Sequence, residues 1–208
     1  MFMQGGPIRQ LHLTNTYQSL SKVPLMIAQD AEWGLSMRID STIRYPWQMT
    51  LGAIQNDSLI YQMGLDVAEQ CRRLGVHINF APVVDVNSNP KNPIINNRSF
   101  GENPYRVAQQ SLAYMQGLQD GGVLACAKHF PGHGDTDSDS HKTLPTINHS
   151  YLRLDTVDLI PFKTLFDKGL GSVMVAHLHI PILDDTDSLA STLSANVVKD
   201  LLKDTLAF

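Results

Sequence analysis

The chain of 208 residues has little of several features that would assign it to other classes of protein. Its net charge is −4 and its Lys and Arg residues are scattered, so it lacks the basic patch typical of a nucleic-acid or anionic-membrane site. No apolar run approaches the roughly eighteen residues of a membrane span. No Ser/Gly-rich linker divides it, so we expect residues 1–208 to form one domain without an internal boundary. Small polar or neutral ligands remain as the expected partners.

Cysteine is also scarce, with two residues in the whole chain. Cys71 and Cys126 both lie in apolar surroundings, and their spacing fits neither a metal site nor a disulfide framework. We therefore expect two buried thiols, with a disulfide as the less favoured alternative.

What the chain does contain is an alternation of short apolar runs and amphipathic segments. The runs are nearly continuous in hydrophobicity, as in strands covered on both faces. They span residues 24–29, 76–86, 122–130 and 171–180, and segments of helical period span 57–74, 103–119, 155–168 and 194–206. This order predicts an α/β fold with a parallel sheet. Neither GxGxxG nor GxxxxGK[ST] follows a strand, and the long polar loops favour a (β/α)8 TIM-barrel-type domain over a doubly wound nucleotide fold.

Polar side chains recur directly after the four predicted strands. They are Asp30 and Glu32 after the first, Asp85 after the second, Lys128 and its successors after the third, and His177 and His179 after the fourth. Because the carboxyl ends of parallel strands meet at one edge, we expect a functional site there.

The richest of these segments is KHFPGHGDTDSDSHKTLP, residues 128–145, in which Pro and Gly exclude a continuous helix. Its alternating Asp135, Asp137 and Asp139 resemble the start of an EF-hand loop. However, the sixth and twelfth positions are Ser140 and Thr146 instead of Gly and Glu, so a calcium loop of this type is excluded.

Zinc and proton transfer are the two other interpretations of the segment. His129 and His133 have the four-residue spacing of a helical zinc pair, but the Pro-Gly between them removes the helix, so zinc is not favoured. Asp139 and His141 can point to the same side of an extended segment, where the carboxylate would hold one ring nitrogen and leave the other for a substrate. A solvated acidic loop is the structural alternative.

The segment resembles the signature of glycoside hydrolase family 3, specifically its β-N-acetylglucosaminidase branch. Three further segments follow that family in order and spacing: IAQDAEWGLSMR (27–38), NFAPVVDVNSNPKNPIINNRSFGENP (79–104) and VMVAHLHIP (173–181). The resemblance covers essentially the whole chain. One position departs from it, because Trp33 stands where the branch usually has glycine, and it could either pack or offer an aromatic surface to a sugar.

The resemblance implies a role for seven residues. The expected substrate-binding residues are Asp30, Arg38, Arg98, Lys128 and His129, and the expected catalytic residues are His141, as general acid and base, and Asp139, which orients it. No metal or cofactor is expected. Taken singly, Arg98 could instead be a brace, Asp30 a helix cap and Lys128 a solvated strand end, and Asp85 is expected to be structural, holding the loop of Arg98.

The implied function is a retaining exo-β-N-acetylglucosaminidase that acts on cell-wall or chitin-type saccharides. The resemblance implies an Asp nucleophile at the end of the strand that follows the LLKDTLAF helix, so it is expected beyond Phe208. The barrel is expected to be incomplete at both ends, with MFMQGG as the tail of an earlier strand. This chain alone is therefore expected to be inactive. A β-glucosidase or β-xylosidase of the same family and a non-catalytic sugar-binding scaffold are the alternatives. The oligomeric state stays open, and so does the compartment, either bacterial cytoplasm or periplasm.

Overall fold

The computed structural model describes residues 4–137 and 144–208. Its sheet has four parallel strands in chain order: β1 (Ala28–Gln29), β2 (Ile78–Asn79), β3 (Leu124–Phe130) and β4 (Ser172–Val175). Each strand lies inside one of the four apolar runs, and all three pairings are parallel. The predicted α/β fold with a parallel sheet is confirmed, and the arrangement is that of part of a TIM-barrel-type domain.

The strands are shorter than the apolar runs that contain them. After β2 the ladder is interrupted at Pro82, which has no N–H to donate. The backbone nevertheless continues beside β3, because Cys126 N donates to Ala81 O at 2.8 Å and Val84 N donates to Lys128 O at 2.8 Å. The run 76–86 therefore lies along β3, as predicted, although only two of its residues form a regular strand.

The helices are α1 (Pro7–Leu20), α2 (Gln48–Gly52), α3 (Ser58–Arg73), α4 (Pro104–Asp120), α5 (Tyr151–Arg153) and α6 (Leu159–Phe166). Residues 4–137 and 144–208 also contain two π-helical segments, Leu154–Asp158 and Asn196–Thr205, and two 3-10 turns, Leu35–Met37 and Asn96–Arg98. The segments 57–74 and 103–119 correspond to α3 and α4. The segment 155–168 is divided between a π turn and α6, and the last one, 194–206, is π-helical.

Helix α1 and the short α2 were not predicted. Only Gln10 and Thr14 of α1 are buried, so no apolar stripe marks this helix in the sequence. Before α1, Gly5 forms a single parallel bridge with Ile39. Residues 1–3 of the expected strand tail lie outside the described residues.

Local signals explain where α3 and α4 begin and end. The side chain of Asn103 accepts hydrogen bonds from the backbone N–H groups of Tyr105 and Arg106, and Pro104 occupies the first helical position. At the end of α3, Gly75 has φ of +70° and Val76 N donates to Cys71 O at 2.9 Å, which closes the helix with a Schellman-type turn.

Helices α3 and α4 pack against each other through two glycines. A Cβ on Gly64 would lie 2.9 Å from Gly117 Cα, and a Cβ on Gly117 would lie 2.2 Å from Tyr61 O. The backbones can therefore approach only because neither position carries a side chain. This contact holds α3 and α4 together on the sheet, and with it the loops that carry the site.

Both cysteines are free and buried, as predicted. Burial raises the pKa of the Cys71 thiol to about 12. Over residues 4–137 and 144–208, no helix combines the length and the apolar character needed to cross a bilayer.

Candidate functional site

A cavity of about 600 Å³ opens at the carboxyl ends of the strands, where the sequence placed a site. All five of the expected substrate-binding residues line it: Asp30, Arg38, Arg98, Lys128 and His129. They come from four separate parts of the chain. Asp30 directly follows β1, Arg38 follows the turn that ends at Met37, Arg98 ends the second 3-10 turn, and Lys128 and His129 lie in β3. The fold therefore brings together side chains that are up to about a hundred residues apart.

Asp30 is held between two cations. Lys128 Nζ lies 2.9 Å from Asp30 Oδ1, and Arg38 Nη2 donates to Asp30 Oδ2 at 2.7 Å. Burial by itself raises the pKa of the Asp30 carboxyl, but the charge of Lys128 and the hydrogen bond from Arg38 outweigh it, so the pKa is lowered. Lys128 is 2% exposed, which contradicts the solvated strand end considered for it. Asp30 is therefore an ionised carboxylate with a fixed orientation.

Glu32 is the main residue whose role the sequence did not indicate. Its carboxylate is completely buried and accepts two hydrogen bonds from Arg98, from Nε at 2.9 Å and from Nη2 at 2.8 Å. Lys128 Nζ lies 2.7 Å away. Burial raises the pKa of Glu32, but the charge of Lys128 and the bonds from Arg98 lower it to about 2. Lys128 therefore bridges two carboxylates, and Glu32 fixes both Lys128 and Arg98 in the cavity wall.

Asp85 orients His129. Its buried carboxylate lies 2.7 Å from His129 Nδ1 and also accepts from the backbone N–H groups of His129 and His133. Burial raises the pKa of Asp85, but its interactions with His129 and His133 outweigh burial and lower it. The pKa of His129 is lowered, first by burial and then by the charges of Lys128 and Arg98, against the effect of Asp85. His129 is therefore neutral, with Nδ1–H donating to Asp85.

Arg98 completes the cavity wall on the side of His129. Its Nη2 lies 3.4 Å from His129 Nε2, and its Nη1 donates to Ile94 O at 3.2 Å. The expectation that Asp85 holds the loop of Arg98 is met only through the backbone, where Ser99 Oγ donates to Asp85 O at 2.6 Å. The side-chain carboxylate of Asp85 instead accepts hydrogen bonds from His129 and His133.

The two expected catalytic residues, Asp139 and His141, lie outside the described residues. The segment that leads to them is described as far as Asp137 and packs closely on its surroundings. Gly132 has φ of +143°, and a Cβ on Gly134 would lie 1.8 Å from Val86 O. These glycines therefore permit a turn and a close approach of the segment to the continuation of β2.

Trp33 both packs and lines the cavity. Its ring lies 4.0 Å from that of Trp47, centroid to centroid, at an angle of 50°, and both indoles contact the cavity. The positive φ in this turn falls on Gly34, at +84°, so Trp33 does not occupy a glycine-type conformation. His177 also lines the cavity, and its Nδ1 lies 2.7 Å from Thr192 Oγ1. The described part of the chain contains no group of three or more His, Cys, Asp or Glu side chains arranged for a metal ion.

Comparison with known proteins gives one consistent result. The model of the glycosyl hydrolase family 3 N-terminal domain matches residues 4–208. β-Hexosaminidase A of Pseudoalteromonas piscicida is 37% identical over 218 residues, which cover 95% of this chain and 36% of that protein.

Two solved structures show the same similarity. A glycoside hydrolase family 3 β-N-acetylglucosaminidase from Paenibacillus sp. matches with a TM-score of 0.92 at 36% identity, over 99% of this chain and 41% of that one. NagZ from Neisseria gonorrhoeae, in complex with N-trifluoroacetyl-D-glucosamine, matches with a TM-score of 0.89 at 33% identity, over 98% of this chain and 61% of that one. The chain thus spans less than two thirds of the length of each of these relatives.

Proposed function

The chain belongs to glycosyl hydrolase family 3, and from that premise we propose that the protein is a retaining exo-β-N-acetylglucosaminidase. Its substrates would be cell-wall or chitin-type saccharides with a terminal N-acetylglucosamine. The observation that carries the proposal is the convergence of Asp30, Arg38, Arg98, Lys128 and His129 on one cavity at the carboxyl edge of the sheet.

The chemistry of the cavity fits a sugar with several hydroxyls. An ionised Asp30 accepts hydrogen bonds from two neighbouring hydroxyls, while Lys128 and Arg98 donate to ring or acetamide oxygens. Among the described residues, three carboxylates (Asp30, Glu32 and Asp85) and three cations (Arg38, Arg98 and Lys128) form the network of this site, and His129 is neutral. A balanced set of charges suits a neutral sugar, because such a ligand needs many directed hydrogen bonds and no net charge at the site that binds it.

His141 and Asp139 would carry out proton transfer. His141 would protonate the leaving-group oxygen and then remove a proton from the attacking water, while Asp139 would fix the ring nitrogen that faces away from the substrate. This assignment rests on the family resemblance of KHFPGHGDTDSDSHKTLP, since both residues lie outside the described part of the chain.

A retaining mechanism also requires a nucleophile that forms a covalent glycosyl intermediate. Among the described residues, the carboxylates that line the cavity are Asp30 and Glu32, and both are engaged in ion pairs with Lys128. Neither is available to attack an anomeric carbon. We therefore propose that the nucleophile lies beyond Phe208, where the family resemblance implies it.

Hydrolysis of aryl glycosides tests the proposal. The natural full-length protein should release the aryl alcohol from an N-acetyl-β-glucosaminide much faster than from the matching β-glucoside or β-xyloside. His141→Ala should slow both formation and breakdown of the glycosyl intermediate. The 208-residue chain should show no turnover. Faster hydrolysis of the glucoside, unchanged rates in His141→Ala, or full turnover by this chain alone would each contradict the corresponding part of the proposal.

A further inference from the structure

Arg44 lies over the two tryptophans at the wall of the cavity. Its guanidinium carbon is 5.4 Å from the ring centroid of Trp47 and 6.0 Å from that of Trp33, which are cation–π distances. The two indoles are themselves in contact and line the cavity. Stacking on the rings restrains the guanidinium while leaving the N–H groups at its edge free to donate.

The charge of Arg44 differs from the other charges around the site. Arg38, Arg98 and Lys128 are each matched by a carboxylate within 3 Å. Arg44 is exposed, and in residues 4–137 and 144–208 no carboxylate lies within ion-pair distance of it. Among the described residues, the charges of Arg38, Arg98 and Lys128 are therefore balanced, whereas the tryptophan pair carries an uncompensated cation.

From this geometry we propose that Trp33, Trp47 and Arg44 form a specificity subsite for the saccharide unit next to the terminal sugar, and that Arg44 selects a carboxylate on that unit. The inference rests on the proposed function, since it presumes that a terminal N-acetylglucosamine binds beside Asp30, Arg98 and Lys128. The indoles supply a flat apolar surface for the C–H face of the second sugar. The guanidinium fork matches the two oxygens of a carboxylate. Acidic saccharides are then preferred over neutral chitin-type ones.

Tryptophan fluorescence reports on this subsite directly, because Trp33 and Trp47 are the only tryptophans in the chain. The ligands are N-acetylglucosamine, the disaccharide N-acetylglucosaminyl-β-1,4-glucuronic acid, and the methyl ester of that disaccharide. The acid and the ester differ in charge with little change in shape. Each ligand is titrated into the wild-type chain, Arg44→Gln and, as a matched control, Arg9→Gln on the exposed side of α1, with calorimetry to confirm each Kd.

We expect the wild-type chain and Arg9→Gln to bind the acid about three- to fivefold more tightly than the ester, the range of a partly exposed ion pair. Arg44→Gln should bind both equally, and 0.5 M NaCl should reduce the wild-type preference by screening. N-Acetylglucosamine should bind all three proteins alike.

The other outcomes separate the two hypotheses. If N-acetylglucosamine binds but the wild-type chain does not prefer the acid, or if the preference persists in Arg44→Gln, the role of Arg44 is refuted and the proposed function stands. If none of the three ligands binds to this chain or to the natural full-length protein, the proposed function fails and the inference fails with it.

Discussion

Asp85 Oδ2 lies 2.7 Å from His129 Nδ1, and this contact determines which nitrogen of His129 faces Arg98. Because the pKa of His129 is lowered, the ring is neutral and Nδ1–H is the donor. Nε2 is then an acceptor, 3.4 Å from Arg98 Nη2. The buried Asp85 therefore sets the hydrogen-bonding character of a cavity residue without lining the cavity itself.

Asp85→Asn should disturb this arrangement. The Asp85 carboxylate accepts from His129 Nδ1 and from two backbone N–H groups, and an amide would present one NH₂ to those donors. We expect a loss of about 1–3 kcal/mol in the free energy of unfolding and weaker binding of N-acetylglucosamine. ¹⁵N NMR of the His129 ring should show an unprotonated Nε2 in the wild type and a mixture of tautomers in the variant. The same tautomer in both proteins would show that Asp85 does not control it.

Glu32→Gln should destabilise the cavity wall strongly. The substitution removes the charge that faces both Lys128 and Arg98, and it leaves only Asp30 to compensate the nearly buried Lys128. Removing one partner of a buried ion pair typically costs about 3–5 kcal/mol, which urea unfolding measures.

Glu69→Gln is the matched control. Glu69 also pairs with an arginine, Arg73, but both side chains are exposed on α3. An exposed pair of this kind contributes well under about 1 kcal/mol. Equal effects of the two substitutions would mean that the Glu32 network does not hold the cavity wall.

The difference between Glu32 and its neighbour Asp30 illustrates what the sequence can and cannot predict. Alternating apolar runs and amphipathic segments are enough to predict parallel strands, and long ordered motifs place Asp30, Lys128 and His129 at one edge. A sequence shows that Glu32 is acidic but not which cations face it, because that depends on how loops from distant parts of the chain converge. The sequence did contain one signal for the role of Glu32, because Asp30 and Glu32 are two residues apart directly after a strand. Helix α1 was not predicted from the sequence, because its buried residues, Gln10 and Thr14, are polar and form no apolar stripe.

Gly117→Ala tests the contact between α3 and α4. The new methyl group would lie 2.2 Å from Tyr61 O and 2.9 Å from the α3 backbone, so the helices would have to separate. Overpacking of this kind costs about 1–3 kcal/mol, although alanine favours the helix by itself. Thermal unfolding should show a lower Tm for Gly117→Ala. For the control Gln116→Ala, at an exposed neighbouring position, the free energy of unfolding should stay within about 0.5 kcal/mol of the wild-type value. A Tm for Gly117→Ala at or above the wild-type value would contradict the close packing.

Asp158 should make the stability of the protein depend on pH. Burial raises the pKa of this carboxyl from 3.8 to about 6, although Arg153 at 2.7 Å favours the charged form. Because the folded pKa is the higher one, the group stabilises the fold fully below pH 3.8, and this contribution is lost as the pH rises through about 6. A rise of about two pKa units corresponds to about 3 kcal/mol. Asp158→Asn, measured against the wild type, should therefore gain relative stability between pH 4 and pH 7. A difference that is constant with pH would contradict the raised pKa.

Calorimetric titration of N-acetylglucosamine into the chain tests the central claim that this cavity is a site for a terminal N-acetylated sugar. We predict one binding site per chain, at least tenfold weaker binding of glucose, and at least tenfold loss of N-acetylglucosamine affinity in Asp30→Asn, equivalent to about 1.4 kcal/mol. Asp30 is the relevant position because both of its oxygens are held by Lys128 and Arg38 inside the cavity. Binding that is unchanged in Asp30→Asn, or glucose binding as tight as that of N-acetylglucosamine, would contradict the account.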